Sequence, residues 1–285
     1  MTIPPRVFLP LLLVAAVALS SAAQADDDHR LTFFPDGDPY PQYLADPFRA
    51  GMSLQRVWLG DTDLPSSGDV RFHLRLGGRF GLVKIHPPGE PEKGWQISLD
   101  AGFFGTFDSE DSNDNLGWDG YYGLVATTEL RDDLSLKIGA LHTSSHVGDE
   151  FAEETGRRRI GYTREELVAG LYHRLGPRWR VYGDLAWAYK NNADEQEPLR
   201  LQAGTEYVAE GVLGRGFGWF SALDVQSWEE NDWDASITAQ VGLLLHRGGR
   251  WWRVALEAYD GRNQVGEFFF RQDSYVALGL YLDFF

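Results

Sequence analysis

The sequence contains no cysteine and, after residue 25, no long apolar run. Without cysteine the chain forms neither disulfides nor a thiolate metal site. A membrane-spanning helix needs about 20 apolar residues, so the later part of the chain carries no helical span. Positive charge is also scarce: 26 Lys and Arg stand against 42 Asp and Glu, a net charge of −16. This balance argues against nucleic acid as a partner, because its phosphates require a basic surface.

The first 25 residues have the order of parts of an export signal. Met1–Arg6 carries one positive charge, Val7–Ala18 is apolar apart from Pro10, and Ala23–Ala25 fits a small-x-small cleavage site. This order is typical of a secretory signal peptide, and the apolar part is too short to span a membrane as a helix. We predict that residues 1–25 are a signal peptide.

Residues 26–49 are rich in proline and in turn-forming residues. Pro35, Pro39, Pro41 and Pro47 all fall in this segment. Proline has no backbone N–H to donate, so it interrupts regular strand pairing. We predict an irregular N-terminal extension over residues 26–49 that lies across the periplasmic mouth of the following domain or plugs its lumen.

From about residue 50 the hydrophobic pattern has a period of two. In one segment Val70, Phe72, Leu74 and Leu76 alternate with Arg71, His73 and Arg75. Alternation over about ten residues is the signature of transmembrane β-strands. We count twelve such segments: 50–59, 69–85, 94–106, 117–130, 133–146, 162–175, 178–190, 199–211, 215–228, 233–246, 250–260 and 272–285. The predicted fold class is all-β, a transmembrane antiparallel β-barrel of about 12 strands over residues 50–285.

Aromatic content and the last segment favour the same fold. The 10 Trp, 12 Tyr and 17 Phe suit the aromatic girdles of a membrane barrel. The last segment ends in Phe284 and Phe285 and resembles the C-terminal strand of bacterial outer-membrane proteins. This resemblance implies the bacterial outer membrane as location and the outer-membrane insertion machinery as a partner. A secreted, soluble β-sandwich is the alternative.

The polar face of the predicted strands mixes both signs of charge. A twelve-strand barrel has a narrow lumen, where unpaired charge is costly, so we expect these residues to pair and to block most of the interior. A narrow small-solute channel is the alternative. The predicted lumen network comprises Arg71, Arg75, Asp100, Arg180, Asp184, Glu206, Arg253 and Glu257.

One polar cluster falls on the face that should meet lipid. The apolar row that ends at Ala140 continues in steps of two to His142 and Ser144, and the apolar row of the next segment leads back to Glu165. A serine needs a base for activation, and the base needs a third group that fixes its tautomer. The sequence therefore suggests Ser144 as nucleophile, His142 as base and Glu165 as orienting acid. Alternatively, these side chains are ordinary polar residues of the headgroup zone.

The loop after this segment carries acidic residues and a basic run. Asp149 and Glu150 are candidate calcium ligands, because calcium prefers carboxylate oxygens. The alternative is a solvated loop whose charge is balanced by residues 157–159. The sequence shows no other cofactor motif.

The rim motif His142-x-Ser144 resembles that of outer-membrane phospholipase A and lipid A deacylase barrels, which carry His-x-Ser on a lipid-facing strand and a polar third member on the next. The resemblance implies a lipid acyl hydrolase that acts on membrane lipid or lipopolysaccharide. Those families follow the serine with asparagine, whereas this chain has Ser145.

Longer motifs are similar to those of a bacterial envelope family classified as domain of unknown function 1207. These motifs are Phe33–Pro35, Leu44–Pro47, His142–Phe151 and Tyr162–Glu165. That resemblance implies the outer membrane as location and supplies no activity.

Overall fold

A computed structural model describes residues 29–64, 68–110, 113–192 and 196–284. The predicted signal peptide and Phe285 lie outside the described residues. The strands are β1 (Arg30–Phe33), β2 (Met52–Thr62), β3 (Val70–His86), β4 (Trp95–Asp108), β5 (Asp114–Arg131), β6 (Leu134–Val147), β7 (Thr163–Leu175), β8 (Trp179–Asn191), β9 (Leu199–Ala209), β10 (Phe217–Trp228), β11 (Ala235–Arg247), β12 (Arg250–Arg262) and β13 (Gln272–Phe284). One short helix, α1 (Asp149–Thr155), and two 3₁₀ turns, Glu229–Asn231 and Gly266–Phe268, lie in the connections.

Strands β2 to β13 form a closed antiparallel barrel of twelve strands. Each strand pairs with its neighbours in sequence, and β13 pairs with β2 to close the ring. Closure satisfies the backbone of every wall strand, which a sheet in lipid requires. The predicted fold class is confirmed, and each of the twelve predicted segments coincides with one barrel strand, with ends that differ by a few residues.

The two ends of the barrel differ in their connections. At one end, here called the turn end, strands join by tight turns such as Gly248-Gly249, whose φ angles of 62° and 69° suit a two-residue hairpin. The other end, here called the loop end, carries the longest connection, residues 148–162, although the turn end also has two longer connections, residues 87–94 and 210–216. No helix among the described residues is long and apolar enough to cross a membrane.

The wall alternates between an apolar outer face and a polar inner face. In β12, Trp252, Val254 and Leu256 are about half exposed on the outside, whereas Arg253 and Glu257 are buried inside. Exposed tryptophans gather toward both ends of the barrel. Trp58, Trp187 and Trp233 lie toward the loop end, and Trp95, Trp179, Trp219 and Trp252 lie toward the turn end. Two such girdles are typical of membrane barrels.

The structure adds two elements that the sequence pattern did not predict. Strand β1 pairs with residues 83–86 of β3, beyond the part of β3 that β2 covers. Strand β3 has 17 residues and extends past the end of β2. The part of β3 that β2 leaves unpaired forms hydrogen bonds with the short strand β1, which ends before Pro35. Helix α1 interrupts the connection between β6 and β7 and ends at Gly156, whose φ of 64° suits a helix C-cap.

The rest of the extension enters the lumen. Tyr40, Leu44 and Ala45 are at most 2% exposed there, although they belong to the irregular segment rather than to the wall. Their burial inside the polar lumen depends on hydrogen bonds to wall residues of β8 and β9.

Candidate functional site

All eight residues of the predicted lumen network point into the barrel, and most are ion-paired. The pairs are Arg71–Asp273 at 2.9 Å, Asp100–Arg79 at 2.7 Å, Arg180–Glu206 at 3.7 Å, Asp184–Lys137 at 2.6 Å and Arg253–Asp283 at 2.5 Å. Arg75 instead donates to amide and carbonyl oxygens, and Glu257 accepts from tyrosine hydroxyls and glutamine amides. Charges in a low-dielectric interior are tolerated only when they are partnered in this way.

The acidic partners of Arg71 and Arg253, which are Asp273 and Asp283, were not predicted from the sequence. Both lie on the inner row of β13, which also holds Tyr275 and Tyr281. Their alternation with the apolar row of the same strand was a usable signal.

The N-terminal extension is fastened to the lumen wall along its length. The Tyr43 hydroxyl donates to Asp184 at 2.5 Å, and the Leu44 amide donates to Glu206 at 2.7 Å. Arg49 donates to Asp283 at 2.5 Å. The extension and the wall side chains leave a cavity of about 130 Å³ within the lumen, enough for several water molecules.

A second segment closes the loop end. The connection between β12 and β13, residues 263–271, folds back over the lumen toward β5 and β6. The Gly266 amide donates to Asp119, and the Glu267 amide donates to the Ser145 hydroxyl at 2.8 Å. The Glu267 carboxylate accepts the backbone N–H groups of Ile160 and Gly161 at 2.9 and 2.8 Å. This segment therefore fixes the two ends of the connection that joins β6 to β7.

The rim cluster lies on the opposite, lipid-facing side of β6 and β7. His142 and Glu165 stand directly opposite each other in the strand register, and their Nδ1 and Oε1 atoms are 2.8 Å apart. Ser144 lies two residues along the same face and pairs with Thr163. In the part of the chain that the structure describes, no hydrogen bond joins the Ser144 hydroxyl to the imidazole. The structure thus brings the base and the acid together, with the hydroxyl beside them.

Aromatic rings cover this cluster on its β5 side. The Tyr122 ring packs on His142 with centroids 4.6 Å apart, and Trp118 stacks on His146 at 4.2 Å. The imidazole of His142 is 17% exposed and the Glu165 carboxylate only 6%. The cluster therefore lies at the depth of the aromatic girdle near the loop end, which is where the membrane interface falls in barrels of this kind.

Space remains open beside the Ser144 hydroxyl. The neighbouring residue on β5 is Gly120, and a Cβ atom there would meet Ser144 Oγ at 3.8 Å. The absence of a side chain at this position leaves the hydroxyl accessible from the lipid side of β5.

The predicted calcium ligands are neighbours at the start of α1. Asp149 is 81% exposed and pairs with Arg159 at 2.5 Å, and Glu150 follows it on the exposed first turn of α1. Across residues 29–64, 68–110, 113–192 and 196–284, no group of three or more His, Asp or Glu side chains is arranged to hold a metal ion.

A family model described as "Protein of unknown function (DUF1207)" matches residues 21–284. The chain belongs to this family. The resemblance to this family that the longer motifs indicated is confirmed. No curated protein matches the sequence.

Solved outer-membrane barrels share the fold. A structure of outer membrane phospholipase A from Escherichia coli is similar with a TM-score of 0.57 and 14% identity, over 85% of this chain and 95% of that one. A dimeric outer membrane phospholipase from Salmonella typhi, solved with bound calcium, is similar with a TM-score of 0.56 and 12% identity, over 88% and 96%. Likeness at this identity shows a common barrel fold and nothing about activity.

Proposed function

We propose that this chain is an integral outer-membrane protein that hydrolyses acyl esters of membrane lipid at the lipid-facing surface of its barrel. The observation that supports this most is the 2.8 Å hydrogen bond between His142 and Glu165, on the same outward face as Ser144. A carboxylate, an imidazole and a hydroxyl in this order are the parts of a serine hydrolase site. A histidine that only tolerates the headgroup zone has no need of a buried carboxylate on its Nδ1, whereas a catalytic base does, and Glu165 occupies this position beside His142.

Each residue has a defined task in the proposed reaction. Glu165 holds His142 with a proton on Nδ1, which leaves Nε2 as the base. Ser144 Oγ attacks the ester carbonyl carbon, Nε2 takes the hydroxyl proton, and the imidazolium returns it to the departing alcohol oxygen. Water then attacks the acyl-enzyme with the same base, which releases the fatty acid and restores Ser144.

The distance between Ser144 and His142 is compatible with this role. Residues two apart on a strand have Cα atoms about 6.5 to 7 Å apart and project on one side. The imidazole reaches across most of this gap, and rotation about χ1 of the serine closes the rest. Catalytic hydrogen bonds often form fully only when substrate is bound.

The location supports a lipid substrate. By the general rule for these barrels, the loop end faces outward and the turn end faces the periplasm. The cluster then lies at the outer interface, where the ester groups of membrane lipids meet the aromatic girdle.

The filled lumen gives no support to a small-solute channel. Docking of the last strand, ending in Phe284 and Phe285, to the insertion machinery remains a prediction.

Fatty-acid release is the test of this proposal. The purified barrel is assayed on phospholipid vesicles and on lipopolysaccharide, with Ser144→Ala and Ser221→Ala as variants. Ser221 is a lipid-facing serine of β10 that lacks a histidine two residues away, so it is a matched control. We expect Ser144→Ala to lose at least about 100-fold in rate and Ser221→Ala to keep the parent rate. Equal release by Ser144→Ala and the parent, or no release by the parent, would rule out the hydrolase.

Calcium is tested in the same assay. The related Salmonella typhi structure holds calcium, and here Asp149 and Glu150 remain candidate ligands. Loss of activity in EDTA with recovery on added calcium would support a metal role, whereas a rate insensitive to EDTA would remove it.

A further inference from the structure

Two arginines at the loop end, Arg157 and Arg271, both contact the aromatic ring of Phe270. Arg157 follows α1, and Arg271 directly precedes β13. Their guanidinium carbons each lie 5.2 Å from the ring centre of Phe270, so the two carbons are at most about 10 Å apart. Phe270 is 40% exposed, so this group faces the surface rather than the lumen. The exposed Arg158 is adjacent in sequence.

Within the described ranges, neither arginine forms an ion pair with a carboxylate. Arg157 donates to the backbone carbonyl of Glu267 at 2.7 Å, and the Nε atoms of Arg157 and Arg271 are buried without a hydrogen-bond partner. Lumen arginines such as Arg164 and Arg253 are instead ion-paired at 2.5 to 2.9 Å. The two neighbouring arginines therefore carry positive charge that no carboxylate pairs among the described residues.

The positive charge of Arg157 and Arg271 is not neutralised by an ion pair in the described part of the chain, which favours the binding of an anion. Burial lowers the pKa of the Arg157 guanidinium, the Glu267 carboxylate opposes this, and the positive charge of Arg271 adds to the lowering. The Glu267 carboxylate accepts the amides of Ile160 and Gly161 and, among the described residues, forms no ion pair with either arginine. A bound anion would relieve the repulsion between the two guanidinium groups.

We propose that Arg157 and Arg271 bind the phosphate group of a lipid headgroup, with Arg158 as a further contact. Guanidinium groups match phosphate oxygens in a forked, charge-assisted geometry that few other anions use as fully. The Phe270 ring, 40% exposed, contacts both arginines, and Ile160, 37% exposed, lies three residues after Arg157; exposed apolar side chains here favour an amphiphile over a free ion. This site is separate from Ser144 and does not depend on hydrolysis.

Binding measurements test the site without reference to activity. The full barrel is folded in maltoside detergent, which lacks phosphate, and is titrated by calorimetry with short-chain phosphatidic acid and, separately, with inorganic phosphate. The variants are the double change Arg157→Gln with Arg271→Gln and the control double change Arg174→Gln with Arg247→Gln, which removes the same two positive charges at the turn end. We expect the double variant to bind phosphatidic acid at least about tenfold more weakly and the control to match the parent.

Three outcomes would overturn the proposal: no binding of phosphatidic acid by the parent, equal binding by the double variant, or inorganic phosphate binding as tightly as the lipid. The last outcome would indicate a free-anion site. If the double Gln variant does not fold, the pair Arg157→Lys and Arg271→Lys replaces it. Lysine keeps the charge and loses the fork, so weaker binding is again expected and unchanged binding would count against the site.

Discussion

Asp283, near the end of β13, ties the N-terminal extension to the barrel wall. It is 2% exposed and accepts three hydrogen bonds: from Arg253 Nε at 2.5 Å, from Arg253 Nη2 at 3.1 Å and from Arg49 Nη2 at 2.5 Å. Arg253 belongs to the wall and Arg49 to the extension. Substitution Asp283→Ala therefore removes the counter-ion of two buried guanidinium groups at once.

The expected cost follows from these contacts. Removing one member of a buried ion pair costs about 3 to 5 kcal/mol, because the remaining charge stays buried without a partner. Here each arginine keeps one amide acceptor, Gln240 for Arg253 at 2.9 Å and Gln42 for Arg49 at 3.0 Å. These acceptors reduce the penalty, so we expect the lower part of the range, a loss of about 3 to 4 kcal/mol in the free energy of unfolding.

Urea unfolding in lipid vesicles, followed by tryptophan fluorescence, measures this loss. Asp133→Ala is the control, because Asp133 and its partner Arg131 are 47% and 62% exposed. An exposed pair contributes at most about 1 kcal/mol. If Asp283→Ala lost less than about 1 kcal/mol, the view that this buried pair holds the extension against the wall would be wrong.

Three further predictions concern the rim cluster and the lumen. Glu165→Ala should lower the hydrolysis rate more than Glu165→Gln, which keeps an oxygen for His142 Nδ1; equal rates of lipid hydrolysis in the two variants would contradict the orienting role. Gly120→Leu should cover the Ser144 hydroxyl and abolish turnover, whereas Gly120→Ala should retain most of it, and a heat-dependent gel shift checks that both barrels fold. Replacing residues 38–49 and the loop-end segment 264–270 together by Gly-Ser linkers should open a conducting path in planar bilayers that the parent lacks; a silent double variant would show that these two segments are not what blocks the lumen.

Much of the wall could be predicted from the sequence, because strand direction is a local property. Side chains alternate strictly in a strand, so the pattern of β6 assigns Lys137 to the lumen and His142 and Ser144 to the lipid without knowledge of the neighbours. No register shift interrupts the pairing of β6 with β7, so that assignment holds to the end of the strand. A tight-turn sequence such as Gly248-Gly249 also predicts that the two strands it joins pair with each other as a hairpin.

Contacts between distant segments required the tertiary structure. Tyr43 meets Asp184 across 141 residues, and Gly266 meets Asp119 across 147. No periodicity in either segment indicates such a partner, because proline-rich and loop segments carry no repeating face. The direct opposition of His142 and Glu165 also depends on the cross-strand register of β6 and β7, joined by a connection of 15 residues that includes α1.

The sequence by itself thus determined which face of each strand meets water or lipid, since the free energy of burying a side chain acts on each residue separately. Only the tertiary structure decided what fills the barrel and which polar groups meet. Those outcomes depend on ring closure, on the register between strands and on the path of two irregular segments through a narrow lumen, where each buried charge must find a partner.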